Sequence, residues 1–212
     1  MSKYGHRTGN WHESIVNKLG GEEAADAFLR DELSVVRSTP KWREAGGVIY
    51  FSVTSDGTTG EVWIARLETK GFRITDYSKQ LLRHRKFKPT DCVTTEIAVL
   101  KGELLKGELF ADGVRLTNHI RALARKRKLT KPNAEIACLI REKFSDKELG
   151  AMGLWAIIAM HDPIPYSGGG TLLLGADRYG DGQWLSAYYG NLGDRWSRDD
   201  GFAFAAAPSS VV

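Results

Sequence analysis

Gly47–Gly71 reads GVIYFSVTSDGTTGEVWIARLETKG, and it decides the fold class. Its first seven residues are β-branched and aromatic, the composition of a strand. Thr54–Gly60 (TSDGTTG) is a loop by composition. Thr58-x-x-Glu61 matches a capping box, which predicts a helix beginning at Thr58. Trp63, Ile64 and Leu67 supply the apolar face of that helix, and Gly71 stands where a left-handed cap belongs, with Phe72 following. Strand, loop and helix in series are half of a βαβ unit.

Working outward, Val93–Leu100 (VTTEIAVL) reads as a second strand and Leu154–Met160 (LWAIIAM) as a buried one ending at His161-Asp162-Pro163. Toward the N-terminus, Trp11, Ile15 and Leu19 form a helical stripe that Gly20-Gly21 breaks. A helix resumes at Glu22–Glu32 with Ala25, Phe28 and Leu29 inward, and Val35–Val36 reads as a short strand. Lys101–Phe110 (KGELLKGELF) is a small duplication, read as a surface connection. Thr117–Leu129 is helical, Ala134–Ile140 is open between strand and helix, and Ser145-x-x-Glu148 is a further capping box. Beyond Gly168-Gly169-Gly170, read as a hinge, come Leu172–Leu174, Trp184–Tyr189 and Gly201–Ala207, short strand candidates separated by turns. The expectation is an α+β protein: a mixed sheet packed with helices in residues 1–165, and a β-rich extension or part of the same core in 166–212.

Composition fits a globular chain. Of 212 residues, 42% are hydrophobic and 26% charged, so the apolar content that disorder lacks is present. The N-terminus has no apolar run of the signal-peptide kind, and the longest apolar stretch, Gly153–Met160, is far shorter than a bilayer span. A cytoplasmic protein without a membrane partner is expected. Cys92 and Cys138 form no Cys-x-x-Cys pair, which excludes ribbon-type zinc sites, and both read as buried thiols. No histidine or acid spacing suits a metal, and no motif calls for a cofactor.

Charge is distributed unevenly. Val114–Pro132 (VRLTNHIRALARKRKLTKP) holds seven Arg or Lys and no acid, and Tyr77–Thr90 holds Lys79, Arg83, Arg85, Lys86 and Lys88 and no acid. On a helix, Arg121, Arg125 and Lys128 share one side. Cations at this density suit a polyanion, since each one that meets a phosphate releases a condensed counterion; the bland alternative is a solvated helix face. Arg83, Arg85, Lys86 and Lys88 extend the same surface if the two runs meet. Tyr77 and Phe87 are candidates for stacking on unpaired bases.

Two other features carry chemistry less directly. Ser55, Thr58 and Thr59 sit in a loop ahead of a helix, where backbone N–H groups receive anions, although no phosphate-binding glycine pattern is present and ordinary capping explains the same residues. His161 at a strand end is the candidate for proton transfer, set against a histidine that merely orders its loop. The aromatic set Trp184, Tyr188, Tyr189, Trp196, Phe202 and Phe204 suits either a compact core or a base- or sugar-binding face, with Trp184 and Trp196 as the candidates for exposed rings.

The runs SVTSDGTTGEVWIARLETKGF, KPNAEIACLIREKFSD and DRWSRDDGFAF together resemble a group of uncharacterised bacterial proteins over most of the chain. The resemblance implies a bacterial, intracellular origin and carries no activity, fold or site residues. The reading favoured by the residues is a non-enzymatic protein with a basic surface that binds nucleic acid without strong sequence specificity. Its rivals are a small hydrolase or transferase acting on a phosphorylated metabolite, and an interaction module built on the aromatic C-terminal segment; self-association is left open.

Overall fold

A computed structural model of the chain describes residues 9–34, 40–180 and 182–206. The chain divides into two units, residues 1–40 and 41–212. In the first, α1 (Gly9–Leu19) and α2 (Glu22–Leu29) are separated at Gly20 and Gly21, whose φ values of 106° and 105° favour glycine. Phe28 and Leu29, expected inward, are exposed, and α2 has no buried residue. A stretch this short has too little apolar surface to enclose a core of its own. The expected strand at Val35–Val36 lies outside the described residues.

The second unit is built on one nine-stranded mixed sheet, the α+β architecture the sequence predicts. Its strands are β1 (Arg43–Ala45), β2 (Val48–Asp56), β3 (Arg73–Ile74), β4 (Asp91–Lys101), β5 (Ala156–Ala159), β6 (Ile164–Pro165), β7 (Thr171–Tyr179), β8 (Gly182–Tyr189) and β9 (Asp200–Ala205). The order is β1-β2-β4-β9-β5-β7-β8-β3, with β6 pairing β7. Pairs β5–β9 and β3–β8 are parallel, and the others are antiparallel.

The helices are α3 (Gly60–Thr69), α4 (Asp76–Arg83), α5 (Thr117–Lys126), α6 (Ile136–Lys143) and α7 (Asp146–Ala151). Strand alternation divides the core into two clusters. Ile97, Val99, Ile157, Ala159 and Ala203 join residues of α3, α4, α6 and α7, such as Trp63, Leu81, Ile140 and Leu149. Ala98, Leu100, Ile158, Phe202 and Phe204 join Leu105, Phe110, Ile120 and Ala124. The sheet is therefore covered on both faces, with α5 on the face opposite α3 and α4. Double coverage explains why β5 reads as a continuous apolar run rather than an alternating one.

Several local expectations change in detail. Gly47–Gly71 does not open a βαβ unit: β2 pairs antiparallel with β4, while β3 lies at the far edge beside β8. The ambiguous stretch 134–140 resolves into α6. The duplicated pentapeptide folds into two 3-10 turns, Gly102–Leu104 and Glu108–Phe110. Gly168–Gly170 is the turn of a hairpin rather than a hinge, since β6 pairs with β7 across it. Residues 166–206 place β7, β8 and β9 in the same sheet as β2 and β4, and β9 lies at its centre. The capping box at Ser145 forms with both of its hydrogen bonds.

Candidate nucleic-acid interface

The helix that carries the basic run is amphipathic because Ile120 and Ala124 pack into the sheet while Arg125 and Lys126 stay exposed. It is shorter than the pattern suggests, ending at Lys126 with Arg127 as its cap. Lys128 follows with φ 59°, the left-handed position usually given to glycine, where its N–H reaches Arg125 O (3.0 Å) and the next N–H reaches Ala124 O (2.9 Å). Arg121, Arg125 and Lys128 thus do not form one helical stripe.

Arg121 has a separate role. It is 7% exposed, and its guanidinium donates to the carbonyls of Met160 (3.1 Å) and His161 (2.8 Å) at the end of β5. Burial holds its pKa below the ordinary arginine value, with the Asp162 carboxylate opposing. A buried cation is tolerated only when its donors are matched. Here Arg121 fastens the exit of β5 to α5.

His161 is fixed by the same turn. It is 1% exposed, with Nδ1 2.7 Å from the carbonyl oxygen of Asp162 and Nε2 accepting from the Leu174 N–H at 3.0 Å. That pair of hydrogen bonds sets the neutral tautomer with the proton on Nδ1. Burial pushes its pKa down to about 4. Both nitrogens are engaged by backbone, so His161 orders the strand exit and has none free for a substrate proton.

The Thr54–Gly60 loop is occupied from within. Strand β2 runs on to Asp56, and the register shift between Thr54 and Asp56 leaves Ser55 buried, accepting from Val93 N (3.1 Å) and Thr90 Oγ1 (2.9 Å). Thr58 donates to Asp56 Oδ1 (2.5 Å) instead of capping, and Asp56 also receives the Arg66 guanidinium. The cap is Thr59, without a side-chain bond. A Cβ on Gly60 would stand 1.8 Å from Leu82 O, so the first turn of α3 abuts the end of α4. A carboxylate and a carbonyl face the position where an anion would need donors.

The second basic run follows α4. Arg83 pairs with Glu61 (2.7 Å). Phe87, a candidate stacking residue, is buried in the core. Arg85, Lys86 and Lys88 are exposed, as are Arg125, Lys126, Arg127 and Lys128, and none of these seven has an ion-pair partner among the described residues.

Three clefts follow the chain from Asp162 to Ser167. One, of about 600 Å³, is lined by Arg121, Arg125, Lys131, Pro163, Thr171, Gly190, Asn191 and Leu192. A second, of about 760 Å³, is lined by Arg85, Lys86, Lys88, Asp162 and Pro163. The third, of about 390 Å³, is lined by Gln80, Arg83, His84, Pro165, Tyr166 and Ser167. Pro163 is common to the first two, so cations from both basic runs border adjoining clefts. The carboxylate of Asp162 lines the second cleft, and Lys131, from the first, pairs with it.

The aromatic set divides. Phe202 and Phe204 are core; Trp196 donates Nε1–H to Thr117 Oγ1 (2.8 Å) and packs on Phe202; Trp184 lies under Arg73. Tyr188 is partly buried and donates to Asp177 (2.5 Å), whereas Tyr189 is exposed. Cys138 is buried, and Cys92, expected to be buried, is exposed. Among the described residues, no group of three or more metal-ligating side chains occurs, and no helix is long and apolar enough to cross a membrane. Comparison with known proteins finds no matching family model, no matching curated protein and no matching solved structure.

Proposed function

We propose that this protein binds nucleic acid without strong sequence specificity, through phosphate contacts at the clefts on either side of Pro163. One observation carries the reading: Arg125 and the Arg85–Lys88 run, far apart in sequence, border clefts that share Pro163, and no carboxylate among the described residues pairs with them. Phosphate contacts of this kind position a protein along the nucleic-acid backbone and carry no base information. Lys126, Arg127 and Lys128 extend the charge beyond Arg125. Arg121 contributes by holding the turn that separates the clefts, not as a free cation.

The test is binding of labelled oligonucleotides, followed by fluorescence anisotropy at low salt. The unmodified protein is expected to bind with an affinity that falls steeply as salt rises. Arg85→Glu/Lys86→Glu/Lys88→Glu and Arg125→Glu/Lys128→Glu should each abolish binding at moderate salt. Each single neutralisation should make the log–log salt slope shallower by about 0.7 to 0.9, the share of one cation–phosphate pair. Absence of binding by the unmodified protein, or binding indifferent to both reversals, refutes the reading.

A further inference from the structure

The cleft of Arg83 and His84 is lined by Tyr166, the middle of a row of three tyrosines that no local sequence pattern announces. Tyr77 lies in α4, Tyr166 follows β6, and Tyr189 ends β8. Their rings pack edge to face, Tyr77 on Tyr166 with centroids 5.2 Å apart and Tyr166 on Tyr189 at 6.4 Å. Tyr77 is 51% exposed and Tyr189 61%, while Tyr166 between them is partly buried and packs against the core, so the two outer rings are the surface feature.

The row is held in place by backbone. Pro165 pairs with Thr171 and Leu172 with Tyr189, which brings the last residues of β6 and β8 to the same end of β7. Gln80 Oε1 accepts from Ser167 Oγ (2.8 Å), tying the β6–β7 turn to α4. A Cβ on Gly168 would stand 2.4 Å from the Tyr166 ring, so a larger residue there would displace the ring from this position.

Its position connects it to the charge. Tyr166 lines the cleft that contains Arg83 and His84, and His84 leads directly into the Arg85–Lys88 run. Tyr189 precedes Gly190 and Asn191, which line the cleft of Arg125. The row thus meets the Arg83–His84 cleft at its central ring, where Arg83 is paired with Glu61, and its Tyr189 end leads along the chain into the cleft of Arg125. A phosphate backbone satisfies such cations whether the nucleic acid is paired or not. Exposed rings add affinity only for a ligand that offers flat faces, and a duplex keeps those faces inside its own stack.

We infer that the ligand is single-stranded nucleic acid, with unpaired bases stacked on the exposed rings of Tyr77 and Tyr189, which Tyr166 holds in place, and its phosphates on the cations of the neighbouring clefts. The inference rests on the nucleic-acid reading above and narrows it to one strand state. The physical basis is sequence-tolerant: every base has a π-face, and Tyr supplies one without reading a base edge.

The experiment compares an oligo(dT) strand, a duplex of equal length and inorganic polyphosphate, titrated against three proteins. These are the unmodified chain, Tyr77→Ala/Tyr189→Ala, and Arg85→Glu/Lys86→Glu/Lys88→Glu. The two tyrosines chosen are more than half exposed, so their removal leaves the core intact; melting by circular dichroism verifies this. The strand is expected to bind the unmodified protein at least tenfold more tightly than duplex or polyphosphate. The tyrosine variant should bind the strand about tenfold more weakly per ring removed, with its salt slope unchanged. Tyr77→Phe/Tyr189→Phe should restore binding, since the rings stack without their hydroxyls. Tyrosine fluorescence should be quenched by the strand and unaffected by polyphosphate. If duplex or polyphosphate binds as tightly as the strand, or if the tyrosine variant binds the strand like the unmodified protein, the single-strand inference fails while the wider reading stands. If none of the three polyanions binds the unmodified protein, the wider reading fails with it.

Discussion

Arg121 and Arg125 stand one turn apart on the same helix, yet they belong to different parts of the molecule. Arg121 turns inward and donates to two carbonyls, whereas Arg125 ends in solvent with no acidic partner among the described residues. The same contrast recurs across the fold. Arg141, fully buried, donates to the carbonyls of Asp177 (2.9 Å) and Phe144, to Asp146 (3.1 Å) and to Gln183 (3.1 Å). Arg85, Lys86 and Lys88 make no ion pair among the described residues. Interior cations hold turns in place because an unmatched buried charge is strongly destabilising. Exterior cations burden the fold little and are available to a ligand.

That division predicts a ranked series of effects on stability. Arg141→Leu should be the most damaging, about 3–5 kcal/mol by denaturant titration, because it leaves two buried carbonyls and Asp146 without their donor. A change below ~1 kcal/mol would mean that the interior charge is dispensable.

Acidity should act next, through two buried groups of opposite sign. His161 has its pKa pushed down to about 4 from 6.5, so between those values the unfolded chain holds a proton the folded one lacks. Its contribution to stability is complete above about pH 6.5 and declines as pH falls toward 4. Burial pushes Asp200 up to about 6 from 3.8, so here the folded state holds the extra proton, and stability declines as pH rises through 6. The two partly cancel. Asp200→Asn removes one arm: it should be more stable than the parent at pH 7 by about 2–3 kcal/mol and lack that advantage by pH 4. Thermal melts at the two pH values check the crossover, and a constant difference would contradict it.

Arg121→Ala should cost about 2–3 kcal/mol, measured by denaturant titration, for two charge-assisted bonds removed. An equal effect in Arg125→Ala would erase the contrast between the two. Lys128→Gly should instead stabilise the protein by about 0.5–1 kcal/mol, since lysine holds a left-handed conformation that glycine adopts freely. The same change should flatten the salt slope of oligonucleotide binding by about 0.7 to 0.9. A stabilised variant with weakened binding would identify Lys128 as a residue that serves the ligand while straining the fold. Smallest of all should be the stability changes of Arg85→Ala and Arg125→Ala, within ~0.5 kcal/mol of the parent.

Much of this is legible in the chain, for local reasons. The strands at 48–53, 93–100 and 156–159 declare themselves by β-branched and apolar runs, and the helix at 146–151 by its capping box. The two cationic runs are plain from composition, and Arg85, Lys86, Lys88, Arg125 and Lys128 are indeed exposed and without ion partners among the described residues. Arg121 misleads because charge in sequence says nothing about exposure, and a helix stripe at i, i+4, i+7 presumes a helix that here stops at Lys126. Thr58 misleads because the same hydroxyl serves a cap or a neighbouring carboxylate, and Asp56 is the nearer partner. His161 looks reactive only until its two ring nitrogens are seen to be engaged.

The sequence alone determined where backbone is extended or helical and where positive charge is concentrated, because periodicity, capping and composition act over a few residues. Tertiary structure decided which charges face inward, that the clefts of Arg125 and of Arg85–Lys88 share Pro163, and that Tyr77, Tyr166 and Tyr189 form one row. Those facts depend on β9 entering the middle of the sheet and on β6, β7 and β8 bringing distant residues together. Strand order joins residues as far apart in the chain as Tyr77 and Tyr189, and no local pattern encodes it.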